Sequence, residues 1–105
     1  MSIIKQHLCT YVMLSEGKSI GYGHLEEEND MVWLGIAMIE SHTGLGLGKI
    51  MMKKLLDFAY QKDKKTIHLS VDKENKGAIY LYQKFGFKII KEMNSNVLLL
   101  RYTND

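Results

Sequence analysis

The sequence predicts an α/β domain of the α+β kind, a mixed, mostly antiparallel sheet with two main helices. Three observations carry that expectation: β-forming runs at both ends of the chain, two apolar stripes of helical period in its middle, and an alternating strand-like segment between those stripes. The order they give is strand, strand, strand, helix, strand, helix, strand, strand, with helical crossovers in the middle and hairpins at the ends. At 105 residues the chain has room for one core, so residues 1–105 are expected to form a single domain.

Cys9 to Leu14 is rich in β-formers and ends at the turn signal Ser15-Glu16-Gly17-Lys18, after which Ser19 to Leu25 reads as the returning strand. Glu26-Glu27-Glu28-Asn29-Asp30 reads as a polar connection. Met31 to Ile39 is a nearly continuous apolar run suited to a central strand buried on both faces. Apolar residues Leu47, Met51, Leu55, Phe58 and Ala59 then recur at helical spacing, which predicts a helix over about 47–61. Thr66 to Asp72 alternates, with Ile67, Leu69 and Val71 on one side and His68, Ser70 and Asp72 on the other. Asn75 is placed to cap a second helix whose stripe is Ala78, Leu81, Tyr82 and Phe85, and Gly86 supplies the left-handed stop. Lys88 to Met93 and Val97 to Tyr102 form a closing hairpin around Asn94-Ser95-Asn96.

The composition is that of an ordinary globular domain, 46% hydrophobic and 25% charged, and no apolar run approaches the roughly 18 residues that span a bilayer. Ser2-Ile3-Ile4 is cut off by Lys5, Gln6 and His7 before a signal-peptide core develops, so a cytoplasmic location and no membrane association are expected. Cys9 is the only cysteine, which excludes an intramolecular disulfide and a cysteine metal cluster. The four histidines show no metal-ligand spacing, and no metal is expected. A net charge of +2 is too small to indicate nucleic acid.

Thr43-Gly44-Leu45-Gly46-Leu47-Gly48-Lys49 joins the third strand to the first helix. Alternate glycines remove the Cβ atoms that would hold a ligand off the backbone, and a helix start leaves about four N–H groups without partners. Such a segment is either a tight turn or an anion cradle. Gly17-Lys18-Ser19 is not a P-loop, because Val12 stands where that motif needs glycine, and it reads as a hairpin turn. The spacing of Gly44, Gly46 and Gly48 does not fit the dinucleotide fingerprint either.

Two segments together resemble the GNAT acetyltransferase superfamily. Thr43 to Gly48 is similar to its Arg/Gln-x-x-Gly-x-Gly/Ala pyrophosphate loop. Asn75 to Phe87 resembles its Asn-x-x-Ala-x-x-x-Tyr-x-x-x-Gly-Phe segment at every named position. The resemblance covers roughly residues 10 to 102. It implies an acyl-CoA N-acyltransferase-like fold and acetyl-CoA as co-substrate. The implied reaction is direct attack of a primary amine, small-molecule or peptide, on the bound thioester, with a backbone N–H near Met38 polarising the carbonyl.

Carried over residue by residue, the resemblance implies that Ala37, Met38 and Ile39 pair by backbone with the pantetheine arm. Gly44, Leu45, Gly46, Leu47, Gly48 and Lys49 would hold the pyrophosphate. Asn75 would contact the CoA arm, with simple helix capping as the alternative, and Tyr82 would protonate the departing thiolate, with a core tyrosine as the alternative. Tyr80 and Phe85 read as packing residues. No base stands out: Ser70 occupies the place where some members carry glutamate, which leaves His68, Asp72, Glu40 and His24, while His42 reads as a loop residue.

Two departures matter. Thr43 stands where arginine or glutamine is usual, and the first strand and two helices of longer members are missing or reduced to Met1 to Leu8. The second departure implies an open acceptor side and apolar sheet surface that a homodimer would cover. It also supports a second reading, a CoA-binding or protein-interaction module without turnover. The first is directly testable: Thr43→Arg should tighten CoA binding, on the order of tenfold by calorimetry, and unchanged or weaker affinity would refute the loop assignment.

Overall fold

The computed structural model describes residues 5–38 and 46–104. Six strands and two helices follow in the expected order: β1 (Lys5–Ser15), β2 (Lys18–Glu28), β3 (Met31–Met38), α1 (Leu47–Gln61), β4 (Thr66–Asp72), α2 (Lys76–Lys84), β5 (Lys88–Asn94) and β6 (Val97–Thr103). One sheet contains all six in the order β1-β2-β3-β4-β6-β5. Its neighbours are antiparallel except β3 and β4, which the α1 crossover makes parallel.

The first hairpin is longer than the β-forming runs suggest. Glu26, Glu27 and Glu28 are not a loop but the end of β2, paired with Trp33, Val32 and Met31. The connection is only Asn29-Asp30, with φ of 53° and 66°, the left-handed pair that suits a two-residue hairpin turn. Glu27 is accommodated in the strand by Lys64, whose Nζ donates to its carboxylate at 2.9 Å. The same turn logic closes β1 on β2 at Glu16 and Gly17, φ 51° and 78°.

Both helices pack on one face of the sheet. α1 buries Met51, Met52, Leu55 and Ala59 against Leu25 and Leu34, which pair across β2 and β3. Gly23 permits the close approach, because a Cβ there would lie 2.7 Å from Met51 and 2.9 Å from Leu55. α2 packs Ala78, Leu81, Tyr82 and Phe85 on the same core, which continues through Ile67, Leu69, Leu100 and Phe87.

The other face is covered by no helix among the described residues. Val12, Leu14 and Tyr22 are 55%, 65% and 45% exposed there. β3 is therefore central but not buried on both faces: Val32 and Leu34 are buried, Trp33 is half-buried and Ala37 is exposed. An unbroken apolar run cannot by itself report how many layers cover a strand.

Leu55, fully buried between helix and sheet, anchors this single-sided core. Leu55→Ala should cost about 3 kcal/mol, read as a lower urea midpoint with unchanged slope, and a loss under about 1 kcal/mol would contradict the packing described.

Candidate active site

β3 and β4 pair only at Val32↔Ile67 and Trp33↔His68, near the start of both strands. Beyond that point β3 stays with β2 as far as Met38, while β4 stays with β6 as far as Asp72. The two parallel strands thus part toward their C-terminal ends, where an α/β sheet characteristically binds ligand. The gap continues into a cavity of about 770 Å³.

Its walls come from three elements. Ile36 and Met38 line it from β3, Gly46, Gly48 and Lys49 from the start of α1, and Asn75 and Gly77 from the start of α2. Further along α2 it is bounded by Ala78, Leu81 and Tyr82, with Tyr80 and Lys84 at the rim. A second hollow of about 200 Å³ is lined by Ser19, Gly21, Tyr22, Ala37 and Met38. Met38 is common to both.

The chemistry of the large cavity suits an anion at one end. Gly46 precedes α1 in a left-handed conformation, φ 78°, and no side chain caps the helix. No acidic residue lies in the first turn either, so among the described residues nothing opposes the free N–H groups and the positive end of the helix dipole beside the cavity. Lys49 and Lys84 converge beside them. The adjacent Lys84 ammonium holds Lys49 below the usual lysine range. A bound polyanion would relieve that repulsion.

Asn75 does cap α2: its Oδ1 accepts from the Ala78 backbone N–H at 3.2 Å. Capping and cavity lining are therefore not alternatives, and its amide NH₂ is left to face a ligand. Tyr82 lines the cavity half-buried, 6.1 Å from the Phe87 ring. Burial pushes its phenol above the ordinary tyrosine range, so it remains a proton donor throughout the physiological range.

Of the residues singled out from sequence, Met38, Gly46, Gly48, Lys49, Asn75 and Tyr82 meet in this cavity. Leu47 opens α1 but is not in the lining, and Ala37 belongs to the smaller hollow. Ile39, Thr43, Gly44 and Leu45 lie outside the described residues, as do Glu40 and His42. Phe85 packs on the core as expected, whereas Tyr80 does not: it is 67% exposed, with the Lys84 ammonium 5.7 Å from its ring centroid. Sequence reading missed Lys84 and Ile36. Lys84 approaches Lys49 only because Leu81 packs over Gly48, where a Cβ would lie 2.9 Å from its Cδ2.

The family profile described as acetyltransferase (GNAT) matches residues 2–87. The chain belongs to the GNAT acetyltransferase family. Among relatives of this GNAT domain, a probable spermine N(1)-acetyltransferase of Bacillus subtilis subsp. natto is 41% identical over 73 residues, 68% of this chain and 48% of the relative. A spermine/spermidine N(1)-acetyltransferase of Bacillus subtilis matches with the same identity and coverage. The chain thus spans about half the length of the curated relatives it matches.

Solved structures show the same GNAT fold. The ribosomal-protein-S18-alanine N-acetyltransferase from Escherichia coli superposes with a TM-score of 0.80 at 19% identity, over 93% of this chain and 69% of that one. A putative acetyltransferase from Salmonella typhimurium, solved with its cofactor acetyl-CoA, gives 0.82 at 18% identity over 91% and 64%.

Proposed function

We propose that this GNAT domain transfers an acetyl group from acetyl-CoA to a primary amine, and that the amine is carried on a polycation of the polyamine kind. The observation that carries the reading is the meeting of an uncapped helix terminus, two lysines and a half-buried, protonated tyrosine in one cavity at the parting of β3 and β4. Supporting it are the family itself, a structural neighbour solved with acetyl-CoA, and the polyamine named as substrate of the two curated relatives.

On this reading the α1 terminus, Lys49 and Lys84 hold the CoA phosphates, and the arm enters between the parted strands past Met38. Backbone groups of β3 that face the gap have no strand across from them among the described residues beyond Trp33, so an extended arm can take the place of a missing strand. The amine nitrogen attacks the thioester carbon, the C–N bond forms, the C–S bond breaks, the thiolate takes the Tyr82 phenolic proton, and the proton shed by the new amide nitrogen passes through water to restore the phenol. A phenol is a weak acid, so its advantage is position: it lies in the wall past which the sulfur must leave. The second reading, a CoA-binding or protein-interaction module, shares the cavity but gives Tyr82 no task. The reading includes a homodimer, since Val12, Leu14 and Tyr22 leave apolar surface for a second copy to cover.

Three measurements check it. Calorimetry should show acetyl-CoA binding, and a thiol-release assay with spermine should show turnover; binding without turnover on any amine would favour the module. Tyr82→Phe should lower kcat about 100-fold with CoA affinity retained, and an unchanged rate removes Tyr82 from its role. Light scattering should report twice the 12.1 kDa chain mass, and a monomer at assay concentration would remove the dimer.

A further inference from the structure

The face of the sheet turned away from the helices carries a histidine in an unusual seat. Gly23 faces α1, so the next residue of β2, His24, faces the opposite way. Its partner across the ladder is Gly35 of β3, and the imidazole lies directly on it: a Cβ at position 35 would be 2.5 Å from Cε1, 3.0 Å from Nε2 and 3.2 Å from Nδ1. Gly35 is two residues beyond Trp33, the last residue of β3 that pairs with β4. The absence of a side chain at this one position therefore seats the imidazole over β3, two residues past the last β3–β4 pair and on the face opposite the one that α1 covers; the ring lines neither hollow. Tyr22 stacks on the ring at 6.0 Å and 19°, and Tyr22 also lines the smaller hollow that shares Met38 with the large cavity.

We propose that His24 is a catalytic residue for this chain, the base that takes the proton of the acceptor amine; the proposal rests on the acetyltransferase reading above. A primary amine of pKa about 10.4 is only about one part in 10³ unprotonated at pH 7, so the reaction needs an acceptor for that proton. An ammonium N–H donates to the unprotonated ring nitrogen of His24, the freed lone pair attacks the thioester carbon, and the imidazolium returns the proton to water. Thiolate departure and its protonation by Tyr82 proceed on the other side of the gap.

Of the other candidates Glu40 lies outside the described residues, and those that are described are occupied or out of reach. Asp72 is committed to the turn after β4, its Oδ1 accepting from the Glu74 N–H at 2.9 Å. Ser70 has no basic group. His68 is 8% exposed beneath Trp33, ring centroids 5.5 Å apart, and burial, followed by the Arg101 charge, holds it neutral with its Nδ1 unpartnered. An acceptor cannot reach it without displacing the indole. Among the described residues the titratable groups sharing the His24 face are Tyr22, Glu26 and Glu28 on β2 and His7 on β1, followed across the sheet by His68 and Asp72 on β4, Arg101 on β6 and Lys88 on β5; Thr10 lies opposite His24 on β1 and Gly35 opposite it on β3. His7 is engaged with the Thr10 hydroxyl at 3.0 Å.

The test is the pH dependence of kcat/KM for spermine with the wild-type chain and His24→Gln, alongside calorimetry with acetyl-CoA. His24→Gln should keep its CoA affinity, lose about 100-fold or more in rate at pH 7, and lose the acidic limb that a histidine base gives. The gap from wild type should narrow toward pH 10, where the acceptor no longer needs a base. A variant that keeps the limb and a rate within about threefold of wild type overturns the proposal. Should His24→Gln fold poorly, Gly35→Ala leaves the histidine but drives its ring off the seat; retention of the wild-type rate there overturns the proposal equally. A wild-type chain that binds acetyl-CoA yet releases no thiol with any amine overturns the parent reading, and the role of His24 with it.

Discussion

The candidate site in this domain depends on two parallel strands that pair briefly and then part. A sheet normally continues its ladder because an unpaired backbone group shielded from water costs about as much as a lost hydrogen bond. Here β3 and β4 form two registered pairs and stop, while each keeps its antiparallel partner on the far side to its end. The outer ladders hold the two strands rigidly apart, and α1, crossing from the end of one to the start of the other, prevents them from closing. Beyond Trp33 the described residues give the gap-facing backbone of β3 no ladder partner, a cost that the antiparallel ladders on either side offset before any ligand arrives.

The same domain breaks local rules where its cavity lies. Helix α1 has a glycine in place of a capping side chain and no acidic residue in its first turn, both of which weaken an isolated helix. Lys49 and Lys84 stand close enough to depress an ammonium, although surface lysines ordinarily spread apart. Neither choice helps the chain fold. α2, by contrast, follows the rules, with Asn75 as its cap and Lys84 in its last turn. Unpaired positive potential is thus concentrated at one end of one cavity, as expected of a site rather than of packing.

Much of this was legible in the residues. The helical stripes placed α1 and α2 because 3.6-residue periodicity survives any tertiary context, and the glycine run with Asn75 to Phe87 located the cavity. What failed to show was anything set by cross-chain register. The Glu26-Glu27-Glu28 run looks like a loop until Lys64, 37 positions later, supplies a partner for Glu27. Tyr80 looks like core because it neighbours a stripe, yet α2 turns it outward. Lys84 gives no signal at all, since its meeting with Lys49 depends on how two helices pack. His24 was only one of several bases to consider, because its distinction comes from a glycine eleven residues away on the next strand.

That glycine gives the two faces of the sheet a common logic. Gly23 lets α1 settle onto one side of β2 and β3, and Gly35, one step along the paired ladder, lets an imidazole settle onto the other. Both are close approaches that alanine would obstruct, but they have opposite consequences: the first completes the core, and the second leaves a titratable ring half-buried beside a gap. On the proposed reading, donor and acceptor then enter from opposite faces and meet at Met38, so neither has to displace the other. The amine's proton leaves on one side and the thiolate is reprotonated on the other, with β3 alone between them. A second layer laid directly over the uncovered face would bury His24 as Trp33 buries His68, and would hold it neutral but out of reach. A second copy that covers Val12 and Leu14 on the edge strand β1 must therefore leave the strip over His24 and Gly35 open to the acceptor.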